Sequence, residues 1–146
     1  MLASVVPTRR CRHRVRAWVA RLRALLPHGV NVPGPLDEFL AMARDQVSAI
    51  VEAEIALDPA RASKHEETLL RCRVRPRLLG CQRHPDPSPG GLVPLWLVLE
   101  EPPDRGDRYF IAFDSEAGAF GIGIYEGQRA WYLETCEGFF AAVERL

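Results

Sequence analysis

The stretch "LLRCRVRPRLLG", Leu69 to Gly80, places arginine at every second position: Arg71, Arg73, Arg75 and Arg77. Up to this point the apolar residues recur at helical spacing, and here the period changes to two. Leu70, Cys72 and Val74 then share one side, and the arginines share the other, as on a half-buried strand. Pro76 has no N–H to give a ladder, so the strand is expected to end there or to lie at a sheet edge. The arginine row reads first as the wetted face of that edge strand, charged so that it resists pairing with another sheet. Its second reading is a contact surface, since strand spacing sets alternate side chains about 6.6 to 7 Å apart, close to a single-strand phosphate repeat.

Upstream, "PLDEFLAMARDQVSAIVEAEIAL" reads as a helix. Pro35 suits a first helical position, with Asp37 and Glu38 in the first turn, where the helix dipole favours acids. Leu36, Phe39, Leu40, Ala43, Val47, Ile50 and Val51 form its apolar stripe. Asp58 can cap a short following piece that Pro59 opens. Residues 1–34 form a separate unit in this reading, a basic amphipathic helix. It holds seven arginines between Arg9 and Arg23 and an apolar set, Val15, Trp18, Val19, Leu22, Leu25 and Leu26. Such a helix can dock on the core, lie on an anionic membrane or belong to a transit peptide; docking is the reading taken.

Downstream, "HPDPSPGG" is a turn-rich loop, and "LVPLWLVLEE" is an apolar run suited to a central strand. Tyr109, Ile111 and Phe113 alternate with Phe110 and Ala112, "DSEAGAF" turns the chain, and Glu126–Gln128 separates two further strands. Thr135 is placed as the cap of a last helix carrying Phe139, Phe140, Val143 and Leu146. The fold expected is α+β: residues 35–146 form one domain, a four- to five-stranded antiparallel meander covered on one face by N-terminal helices and a C-terminal helix.

The 146 residues carry no net charge, but the charge is polarised. Up to Arg83 there are 15 Lys and Arg against 8 Asp and Glu; from His84 there are 4 against 11. Either the two halves neutralise one another or the basic end meets an anionic partner. Of the 19 cations only Lys64 is lysine, which a GC-rich genome produces without functional cause.

Motif chemistry is sparse. Cys11, Cys72, Cys81 and Cys136 form no CxxC pair, so reduced thiols and a cytoplasmic location are expected. His65, Cys72, Cys81 and His84 can be gathered as a tetrahedral set, yet lack the two tight ligand pairs of a structural zinc site. No serine has nucleophile-elbow glycines, and Gly118, Gly121 and Gly123 lie in a hairpin and read as bulge or curvature positions. Asp114 and Glu116 fall on a hairpin tip, where solvent would leave their acidity unshifted. No catalytic residue, cofactor or metal is assigned on these grounds.

"YFIAFDSEAGAFGIGIYEG" with the helix after it, Tyr109 to Leu146, resembles the closing hairpin and helix of small uncharacterised bacterial proteins. Some of these are similar to toxin-immunity or adaptor modules. The absence of catalytic motifs and the polarised charge lead to the expectation of a non-catalytic protein-binding role with an unidentified partner protein. The arginine row would suit that partner if it is acidic. The resemblance implies that the role is immunity- or adaptor-like. Arg71, Arg73, Arg75, Arg77, Trp131 and Tyr132 are the candidate surface, because arginine and aromatic side chains anchor interfaces. One alternative is an enzyme or small-ligand domain without a recognisable motif. The other is a nucleic-acid contact through the four arginines and the basic first helix.

Overall fold

A computed structural model describes residues 33–84, 92–104 and 106–146. The expected basic helix of residues 1–34 falls almost wholly outside the described residues, as does most of the loop after His84. The elements are α1 (Pro33–Leu57), α2 (Pro59–Lys64), α3 (Glu66–Cys72), β1 (Arg73–Arg83), β2 (Val93–Glu100), β3 (Arg108–Asp114), β4 (Ala119–Glu126), β5 (Arg129–Thr135) and α4 (Phe139–Val143). The architecture is α+β, but the sheet is not an open meander. It is a closed barrel in the order β1-β2-β3-β4-β5.

Closure follows from strand number. Four successive antiparallel pairings leave the first and last of five strands running the same way. The closing pair is therefore parallel, at Gln82 with Trp131 and Arg83 with Tyr132. The His84 N–H donates to the Tyr132 carbonyl at 3.0 Å and extends this seam.

The alternation of the strands sorts apolar side chains into two cores. Leu95 and Leu97 join Cys81, Phe110, Ala112, Ala130 and Tyr132 in a cluster fed by strands alone, which is the barrel interior. Trp96 and Val98 face the other way, with Ile111, Phe113 and Phe120, against the helices. There they meet Ala43, Val47 and Val51 of α1 and Phe139, Phe140 and Val143 of α4. This explains why "LWLVL" is apolar at every position: both of its faces are buried. Leu40 and Ile50 pack at the margin of the helix-side core, while the side chains of Leu36 and Phe39 lie outside the described set.

The interior is narrow, and two glycines of β4 make room in it. A methyl group at Gly121 would overlap the Tyr132 hydroxyl, and one at Gly123 would overlap the Phe110 ring. A register irregularity between Ile122 and Gly123 in the pairing with β5 accompanies them, as expected of curvature glycines. Gly118, at φ 66°, serves the β3–β4 turn.

Several sequence expectations are corrected. Helix α1 begins at Pro33 rather than Pro35, with no acid in its first turn. Leu70, Arg71 and Cys72 are helical: Leu69 and Cys72, three apart, are the buried pair of α3, and Leu70 is exposed. Strand β1 also runs through Pro76 to Arg83. From Arg73 to Arg77, β1 advances four residues while β2 retreats two, Leu99 to Leu97, so the proline sits in a bulge that needs no N–H from it. Its carbonyl, facing away from β2, accepts from Arg44 Nε at 2.9 Å. Thr135 ends β5, and Gly138, at φ 140°, occupies the N-cap position of α4 without a side-chain cap. The Asp58 cap of α2 stands, its carboxylate accepting the Arg61 N–H at 3.1 Å.

Candidate interaction surface

The structure divides the four arginines among three settings. Arg71 ends α3 on an exposed face. Arg73 is bound to Glu52 of α1. Arg75 is exposed on β1 with Arg73, beside a shallow groove of about 400 Å³. Arg77 turns to the end of the barrel, 3.4 Å from Glu100. The evenly spaced row implied by a single strand therefore becomes a rim of Arg73 and Arg75, with Arg71 one helical step away.

The groove lies between α1, the end of α3 and the start of β1. Ser48, Leu69, Val74 and Pro76 line it, and Leu70 stands at its edge with 79% of its surface exposed. No other large apolar side chain among the described residues is so exposed. The cause is local. A helix that buries Leu69 and Cys72 must turn Leu70 to the outside, where a strand would have turned it in.

The two aromatic candidates separate. Tyr132 is 3% exposed, part of the barrel interior, with its hydroxyl 3.2 Å from Thr135 Oγ1. Burial pushes its acidity towards the protonated form. Trp131 points the opposite way and is half-buried in a second groove of about 500 Å³, shared with His84, Asp107, Ile124, Glu126 and Leu133. Its indole N–H donates to Glu126 Oε2 at 2.9 Å, and the His84 ring meets it edge-on at 6.2 Å.

Polar networks missed by sequence reasoning close the two ends of the barrel. At one end Tyr125 donates to Glu100 Oε2 at 2.9 Å, with Arg77 and Arg108 on the same carboxylate. Burial, then this hydrogen bond to an acid, raises the Tyr125 pKa. At the other end Asp114, expected to be solvated, is 5% exposed. It accepts the N–H groups of Glu116 and Ala117 at 3.0 and 3.1 Å and pairs with Arg83 at 3.4 Å. The pairs Arg77–Glu100 and Arg83–Asp114 join the basic and acidic halves of the sequence within one domain. The signal for both was the excess of acids after His84, but their positions depend on barrel closure.

Two of the described thiols, Cys81 and Cys136, are poorly suited to nucleophilic work. Burial pushes Cys81 up to about 12 and also raises Cys136, so the reactive thiolate is suppressed. Cys72 and Cys81 fall in different cores, and among the described residues no group of three or more His, Cys, Asp or Glu could hold a metal ion. Among the described residues no helix is long and apolar enough to cross a membrane. No family model, curated protein or solved structure matches the chain.

Proposed function

We propose that this chain is a non-catalytic protein-binding module, immunity- or adaptor-like, that meets an acidic partner protein at the Leu70 groove. One observation carries the reading. Leu70, the most exposed large apolar side chain described, stands beside Arg71, Arg73 and Arg75. Arginine is enriched at protein interfaces, and an exposed apolar side chain beside it offers surface that a partner would bury. Arg75 supplies a guanidinium for a partner carboxylate, and Val74 and Pro76 supply an apolar floor. An enzyme would draw on groups held ready for proton transfer or attack. Here burial shifts Cys81 and Cys136 towards the thiol form, which is the poorer nucleophile.

The test is capture with tagged wild type, Leu70→Asp and Arg75→Glu at moderate salt, with circular dichroism to show that the variants fold. A partner held stoichiometrically by the wild type and lost from both variants supports the groove. Equal retention by both variants removes it as the contact surface.

A further inference from the structure

The barrel uses one local arrangement twice. Arg83 lies over the Tyr132 ring, 5.5 Å from its centroid, and pairs with Asp114 at 3.4 Å. Arg108 lies over the Tyr125 ring at 4.9 Å and pairs with Glu100 at 3.5 Å. In each case a guanidinium is held between an aromatic face and a carboxylate. Trp131 and Glu126 repeat the aromatic and the acid, joined by the 2.9 Å indole hydrogen bond. Among the described residues no guanidinium lies over the Trp131 ring.

We infer that the Trp131 groove receives an arginine side chain from an extended basic segment of a partner protein. Indole is the strongest cation–π surface among the side chains. A guanidinium is planar and weakly hydrated, so it can stack on indole while forking to a carboxylate, as an ammonium cannot. Glu126 engages the indole through Oε2, which leaves Oε1 for a second donor. Asp107 adds a further carboxylate to the groove, and Ile124 and Leu133 add apolar wall for the methylene stem. The His84 ring, edge-on at 82°, supports the indole.

The groove's own lining has the matching sign: Asp107 and Glu126 are its charged groups, and among the described residues no lysine or arginine lines it. This site is separate from the Leu70 groove, and either can fail without the other.

The experiment is a titration of the full chain with a capped Gly-Arg-Gly-Arg-Gly peptide and its lysine counterpart. It follows the Trp131 indole N–H cross-peak, assigned with Trp131→Phe. The arginine peptide is expected to move that cross-peak and to bind at least about threefold more tightly than the lysine peptide. Glu126→Gln keeps an acceptor for the indole but removes the charge, and is expected to weaken binding by a further factor of about three or more. An unmoved cross-peak, equal affinity for the two peptides, or unchanged binding by Glu126→Gln overturns the inference. So does a cross-peak that moves without peptide when the seven arginines between Arg9 and Arg23 are replaced by glutamine, because the occupant is then the chain's own segment. Movement on simple dilution overturns it too, in favour of a second copy.

Discussion

A methyl group at Gly121 would have to share space with the Tyr132 hydroxyl and the Glu134 carbonyl inside a five-stranded barrel. The ring is fixed on β5 and the carbonyl is backbone, so neither yields without disturbing the β4–β5 pairing. Gly121→Ala is expected to destabilise the fold by about 1–3 kcal/mol, the usual range for overpacking a closed core. Gly106→Ala, where the added methyl meets nothing, is the control. Urea unfolding of the two variants checks this, and equal midpoints would deny that the interior is filled. The sequence showed these glycines as positions of curvature but not what they make room for, because Tyr132 looked available for the surface. Its inward direction is set by β5 register. Asp114 was misjudged for a related reason: a residue at a hairpin tip is exposed unless the turn folds over it, and here Arg83 arrives from a strand 31 residues away.

At the scale of elements, the α3–β1 junction shows where periodicity becomes ambiguous. "LLRCRV" satisfies period two through Leu70, Cys72 and Val74, and helical spacing through Leu69 and Cys72. Glu66 and Glu67 in the first turn of α3 favour the helix, a signal that lies outside the quoted stretch. Helix α4 poses the complementary problem. It is five residues long with no cap of its own, and its Phe139 N–H is taken by the carboxylate of Glu54, on α1. No local pattern announces a cap delivered from more than eighty residues away. Burial raises the Glu54 pKa above 4.5, and the Phe139 hydrogen bond only partly opposes it. The folded state therefore binds this proton more tightly than the unfolded chain does. The associated stability is present in full below the ordinary glutamate range and is lost as pH rises through the raised value. Glu54→Gln keeps an acceptor and abolishes the ionisation. It is expected to raise the melting temperature at pH 7 and to leave it unchanged near pH 3.5, whereas Glu54→Ala costs about 1 kcal/mol for the orphaned N–H. Thermal melts at the two pH values decide it. A Glu54→Gln variant less stable at pH 7 would show that the charged cap outweighs its desolvation.

For the whole molecule, fold class was legible and closure was not. The helices, the central strand and the β3–β4 and β4–β5 hairpins follow from patterns within about twenty residues, which is the range over which periodicity and turn chemistry act. The β1–β5 seam joins Gln82 to Trp131, and its parallel sense comes from counting strands, a property of no single segment. The same seam separates the two candidate sites, since β1 carries the rim of the Leu70 groove at its start and β5 carries Trp131. Its pairing is short: two residue pairs, against seven aligned pairs between β3 and β4. Protection against hydrogen exchange is expected to follow that difference. The His84 amide, bonded to the Tyr132 carbonyl across the seam, should exchange through a partial opening that costs less than global unfolding. Amides of β3 in the fully buried run Phe110 to Phe113 should exchange only with global unfolding. Native-state exchange across a denaturant series separates the cases. If the two sets merge onto the global isotherm, the barrel opens as one unit and the two grooves are mechanically coupled. If His84 exchanges early with little denaturant dependence, the seam opens by itself, and a partner seated at Trp131 would be expected to slow that opening.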